Sequence, residues 1–95
     1  MSMLSLAMKA GAVKSGDFAV KEAIRKGQAK LVILAEDTSP QTIESYKRLI
    51  KDNDPKMILY GDKISLGNAV GKEFRAAVAV CDEGLAKAVG KLTEV

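Results

Sequence analysis

Two short runs, Leu31 to Ala35 and Ala76 to Cys81, constrain this chain more than anything else in it. Neither holds a charged side chain, and each is built from β-branched, aliphatic or small residues. A strand that is apolar at every second residue has one wet face. A strand that is apolar at every residue must be covered on both faces. Lys30 to Ala35 therefore reads as a buried strand bounded by Gly27 and by Glu36-Asp37. Ala76 to Cys81 reads as another, with side chains small enough for helices to pack closely on either side.

Helical patterns supply that cover. Leu4, Ala7 and Met8 fall on one face of a first helix that ends near Gly11. Gly16-Asp17 precedes a second, with Val20, Ala23 and Ile24 together and Gly27 as its stop. Ser39-Pro40 starts a third, because serine caps the free N–H groups and proline fits the first helical position. Ile43, Tyr46 and Ile50 share its face, and Asn53-Asp54-Pro55 ends it. Asp62 caps a fourth, with Leu66, Ala69 and Val70 on one side and Gly71 as its stop. Asp82 caps a fifth, carrying Leu85, Ala88, Val89 and Leu92. Met57 to Tyr60 is a further short strand, and Ala12 to Ser15 is compatible with a brief one. Strands alternating with helices predict an α/β fold with helices on both sides of the sheet. At 95 residues, a single domain over 1–95 is expected.

Several chemistries find no residues to carry them. The chain has no histidine, which removes Ser-His and Cys-His pairs and histidine metal sites. Its one cysteine, Cys81, can form neither an internal disulfide nor a zinc cluster, and it reads as a small buried hydrophobe in a reducing cytoplasm. Asp52-Asn53-Asp54 lacks the glycine and the terminal glutamate of a calcium loop. Gly67 to Lys72 is one residue short of a phosphate-binding loop, has Glu73 where Ser or Thr belongs, and precedes a strand instead of following one. Glu36-Asp37 fits a solvated loop that favours the positive end of the next helix. No enzyme activity, cofactor or metal is expected. The N-terminal stretch lacks a signal-peptide pattern, and the apolar runs fall far short of the ~20 residues of a membrane span.

Charge is uneven. Residues 1–30 hold six basic side chains against two acidic ones, a net +4, whereas residues 31–62 sum to −2 and residues 63–95 to +1. A basic excess at one end of the chain suits an anionic partner, and it also suits an ordinary solvated surface.

Two stretches carry a likeness to a known family. One is Arg25-Lys26-Gly27-Gln28-Ala29-Lys30 running into the strand and Glu36-Asp37. The other is Leu66-Gly67-Asn68-Ala69-Val70-Gly71-Lys72, followed by Ala76 to Cys81. In this order and spacing the chain resembles the kink-turn-binding ribosomal protein family named L-seven-Ae, with its L-thirty-e branch. It is most similar to the small bacterial YlxQ-type members, through the Ser15-Gly16 turn, Gly71-Lys72-Glu73 and Asp82-Glu83-Gly84. The resemblance implies a three-layer α-β-α sandwich with a small mixed sheet. It also implies a ribosome-associated RNA-binding protein, expected to be a monomer, that reads sharply bent RNA at the start of the second helix and in the loop before the last strand.

The residues at those two places fit that chemistry. Gly16 lets the chain turn tightly, and the helix behind it offers free donors and partial positive charge. Asp17 and Phe18 follow it, and Lys14, Lys21, Arg25 and Lys30 are expected around it as phosphate partners. In the second loop, Lys72 and Arg75 would hold the backbone and Glu73 would accept from base amino groups. Phe74 either stacks on an extruded base or tucks into the core, and the sequence leaves both open. The family's Gly-x-Asn-Glu-x-x-Lys pattern is met at Gly16 alone: Phe18, Ala19 and Glu22 stand in place of Asn, Glu and Lys, and Lys21 comes one position early. The usual small apolar pair of the second loop is replaced by Phe74-Arg75. A module that keeps the fold but binds a protein partner is the alternative.

Overall fold

The computed structural model describes residues 2–50 and 55–93. Nine elements follow in order: α1 (Ser2–Lys9), β1 (Val13–Ser15), α2 (Asp17–Arg25), β2 (Leu31–Leu34), α3 (Pro40–Ile50), β3 (Lys56–Leu59), α4 (Lys63–Ala69), β4 (Ala77–Val80) and α5 (Glu83–Thr93). The strands form one sheet in the order β1-β4-β2-β3. β2 and β3 are parallel, and β4 is antiparallel to both of its neighbours. The two runs without charge are thus the two central strands, buried at every residue.

The period-two alternation of a strand divides their side chains between two cores. Leu31, Ile33, Val78 and Val80 face one way and pack with Leu4 and Ala7 of α1, Leu66 of α4, and Ala86 and Val89 of α5. Val32, Leu34, Ala77 and Ala79 face the other way, against Val20, Ala23 and Ile24 of α2 and Tyr46 of α3. Small alanines on the second face of β4 let α2 approach closely, as the composition of that strand predicts. Cys81 continues the same parity and packs partly buried on the α2–α3 side. Burial raises the pKa of its thiol, against the opposing pull of Lys14 and Lys30.

The caps are where the sequence places them. Ser39 Oγ accepts from the Thr42 N–H. Asp82 Oδ1 accepts from the Leu85 N–H at 2.9 Å. Asp62 and Ser65 form a reciprocal capping box, and the hydrogen bonds from Ser65 hold the Asp62 carboxyl below its usual range. Two expectations need correction. Met8 is exposed, because the first helix buries Leu4 and Ala7 and turns Met8 past the edge of the contact. The side-chain hydrogen bond of Asp37 goes not to the helix that follows it but across space, where its Oδ1 accepts from the Lys63 N–H at 3.0 Å at the start of α4. Asp52, Asn53 and Asp54, and the Leu92 side chain, lie outside the described residues.

Candidate functional site

Strand register sorts the molecule into two ends. Ser15 opposes Val78 and Leu34 opposes Ala77, so β1 and β2 finish where β4 begins. Gly16 follows Ser15 and ties itself to that end, its N–H donating to the Ala77 carbonyl at 3.1 Å. Gly16 also caps α2 with φ 94° and ψ 153°, a conformation open essentially to glycine alone. No side chain caps the first turn of α2, so its leading N–H groups face outward.

The loop from α4 to β4 closes the other side. The Arg75 N–H donates to the Lys63 carbonyl at 2.9 Å, and the Ala35 N–H donates to Ala76. Gly16, Asp17, Lys63, Phe74, Arg75 and Ala76 thereby line one open cleft. The Arg75 guanidinium lies against the Gly16 backbone: a Cβ built on Gly16 would stand 3.8 Å from Arg75 Nε. Its Nη1 donates to the Phe74 carbonyl at 2.8 Å, while the buried Nε finds no partner among the described residues. A planar fork held in this way presents fixed donors to a phosphate or a base edge.

Exposed large apolar side chains occur on the lining residues and on their neighbours in sequence. Phe74 is 57% exposed and Phe18, one residue after Asp17, is 77% exposed. The ambiguity over Phe74 is thus settled by placement: it points to solvent. Ile64, beside Lys63, is also exposed. Two rings left in water near uncapped helix donors and a guanidinium offer faces for stacking and groups for hydrogen bonding.

The sequence-predicted residues divide accordingly. Gly16, Asp17, Phe74 and Arg75 line the cleft, Phe18 adjoins it, and Lys72 and Glu73 lie exposed in the same loop. Lys21 is engaged: its Nζ lies 3.4 Å from Asp17 Oδ2 and 5.3 Å from the centre of the Tyr46 ring. Lys14 stands mid-strand opposite Ala79. Arg25 and Lys30 do not surround the start of α2. Arg25 is in the last turn of that helix, about 12 Å away at 1.5 Å per residue. Lys30 lies before Leu31, at the opposite end of the sheet. Lys63 lines the cleft without having been foreseen. Its signal was the position just after the Asp62 cap, which fixes it at the start of a helix but not beside α2.

Tyr46 braces the site from below. Its hydroxyl donates to Asp17 Oδ1 at 2.8 Å, across the α2–α3 contact. Burial pushes this hydroxyl far above the ordinary tyrosine range, and the Asp17 carboxylate adds to the shift. Tyr46→Phe is expected to cost about 1 kcal/mol. The loss is modest because Asp17 is largely exposed and water can replace the donor. Urea unfolding would measure it, and an unchanged midpoint would show that the bond does not hold α2.

Comparison with known proteins agrees with this architecture. The model of the family described as "Ribosomal protein L7Ae/L30e/S12e/Gadd45 family" matches residues 1–90. The RNA-binding protein YlxQ of Bacillus subtilis is 37% identical over 91 residues, covering 88% of this chain and 84% of that one. The large ribosomal subunit protein eL8 of Thermoplasma volcanium is 31% identical over 85 residues, covering 88% of this chain and 70% of its own. Among solved structures, a Bacillus halodurans protein of unknown function superposes with a TM-score of 0.93 at 29% identity, over 99% of this chain and 95% of that one. A Giardia lamblia 15.5 kD RNA-binding protein shares the fold at a TM-score of 0.81 and 23% identity, over 95% and 81%. A three-layer sandwich, a mixed four-stranded sheet and a family match over nearly all of the sequence lead to one conclusion: this chain belongs to the ribosomal protein L7Ae/L30e/S12e/Gadd45 family.

Proposed function

We propose that this chain binds structured RNA through the cleft between the start of α2 and the α4–β4 loop. One observation carries the reading: uncapped helix donors, the Arg75 fork and the exposed Phe18 and Phe74 stand together at one end of the sheet. RNA that is bent at a bulge offers what they need, namely closely spaced phosphates and bases splayed out of the stack. The names of its relatives support the same direction, YlxQ as an RNA-binding protein and eL8 as a ribosomal one. We extend this to a kink-turn or similarly bent RNA as the target, with association with the ribosome as one setting.

Phe18 and Ala19 at the start of α2 stand where polar side chains would read base edges, and Glu22 in its next turn stands in place of a lysine. The chain therefore recognises shape by backbone donors and stacking more than by side-chain readout. The same apolar substitutions favour the second reading, a protein partner seated on this face.

Titration against a kink-turn RNA, and against the same RNA with its tandem G·A pairs disrupted, separates these readings. Preferential binding of the intact RNA is expected, with affinity falling steeply as salt rises. Equal, salt-sensitive binding to both would mean a general RNA binder. Binding to neither would refute the RNA reading and favour the protein partner.

A further inference from the structure

A second surface lies at the far end of the sheet, where the candidate site is not. Leu31 pairs there with Lys56 on one side and Val80 on the other. A groove of about 730 Å³ opens between the α2–β2 loop, the start of β3 and one face of α5. Its lining includes Gly27, Ala29, Leu31, Ala86 and Gly90, which are small or apolar. Charge comes with that lining: among the described residues, Lys30, Lys56, Lys87 and Lys91 stand there with Glu83.

Such a concentration is costly in the free protein. Lys87 and Lys91 are four residues apart on α5, where like charges repel. Lys30, Lys87 and Lys91 are exposed and form no ion pair among the described residues. Charges gathered this way hold counterions, and a polyanion that displaces them gains by their release. All four cations are lysines. They meet phosphates as point charges and do not impose the paired geometry with which arginine reads a base.

We propose that this groove is a second RNA contact, binding the phosphate backbone of a helical segment without regard to sequence. The protein then bridges two parts of one folded RNA, one arm against the lysines and the bend in the Phe74–Arg75 cleft. The Cα frame is 29 × 26 × 25 Å, which sets the span between the two contacts. This extends the RNA-binding reading above, but its test does not depend on kink-turn recognition.

The probe is a bulge-free RNA duplex of about 16 base pairs, the length a small double-strand binder spans. It offers no extruded base to the cleft. The wild-type chain is expected to bind it weakly at low salt, with a slope of about 0.9 in log affinity per phosphate contact against log salt. Lys30→Gln with Lys87→Gln and Lys91→Gln is expected to weaken this binding about tenfold or more and to reduce the slope by about 3. Lys56 makes an interaction of its own and stays in place. Phe18→Ala with Phe74→Ala is expected to leave duplex binding unchanged. Circular dichroism confirms folding, and Lys87→Gln with Lys91→Gln serves if the triple variant unfolds. Wild-type affinity and slope in the folded lysine variant would overturn the proposal. So would absence of duplex binding by the wild type, or its loss in the phenylalanine variant alone. Kink-turn titration of the same wild-type protein reports separately on the cleft.

Discussion

Gly67→Ala is expected to destabilise the protein by about 2 kcal/mol, although alanine is the better helix former. Intrinsic propensity alone favours alanine over glycine inside a helix by about 1 kcal/mol. Gly67 sits inside α4, buried, and the α4–β4 loop folds back over it. A Cβ there would stand 2.4 Å from Phe74 Cα, 2.6 Å from its N and 2.7 Å from its carbonyl carbon. All three are backbone atoms, so no rotamer change relieves the contact, and overpacking of this kind costs about 3 kcal/mol. The Gly67 carbonyl also accepts from the N–H groups of Val70 and Lys72, so the loop cannot move away without losing the bonds that shape it. The net loss corresponds to a melting temperature lower by roughly 8–16 °C in a domain of this size. A thermal melt checks it. An unchanged or raised midpoint would show that the loop does not lie on α4. The same variant should bind RNA more weakly at temperatures where it is folded, because the displaced residues are Phe74 and Arg75.

That contact shows where sequence reasoning stops. Leu66-Gly67-Asn68-Ala69-Val70-Gly71 identifies a helix and its stop, because period and capping are local properties. It does not show that Gly67 lacks a side chain because the backbone of Phe74, seven residues further along the chain, crosses it. The central strands were legible because burial on both faces leaves a compositional trace, and Ser39, Asp62 and Asp82 were legible because caps act within three residues. Arg25 and Lys30 were misplaced for different reasons. Arg25 could have been placed from helix rise alone, since eight residues carry it about 12 Å from Asp17. Lys30 could not, because its position depends on β2 running antiparallel to β4, and pairing direction is set by the whole topology. Asp37 was read as serving its neighbour in sequence, whereas its partner is Lys63 in space. The cleft assembles residues from α2, α4 and the loop before β4, and only its Gly16 and Phe74-Arg75 portions have a local signature.

Removing both exposed rings, Phe18→Ala with Phe74→Ala, is expected to weaken binding of bent RNA by about 30-fold to 1,000-fold or more with little change in stability. Stacking on an aromatic ring contributes about 1–3 kcal/mol per base, and 1.4 kcal/mol is tenfold in affinity. Neither ring contributes to either core, since Phe18 is 77% and Phe74 is 57% exposed. Thermal midpoints should therefore match the wild type within a few degrees. Phe→Leu at both positions separates the causes: it retains apolar area but has no π face, so stacking predicts a loss close to that of alanine. A simple hydrophobic contact predicts recovery. Arg75→Ala provides the electrostatic contrast. It removes a charged donor beside Gly16, so the salt slope should fall by about 1, whereas the phenylalanine variants should leave the slope intact. Wild-type affinity in the double alanine variant would remove the rings from the interface. Recovery with leucine would instead point to an apolar partner surface, and so to a protein on this face of the fold.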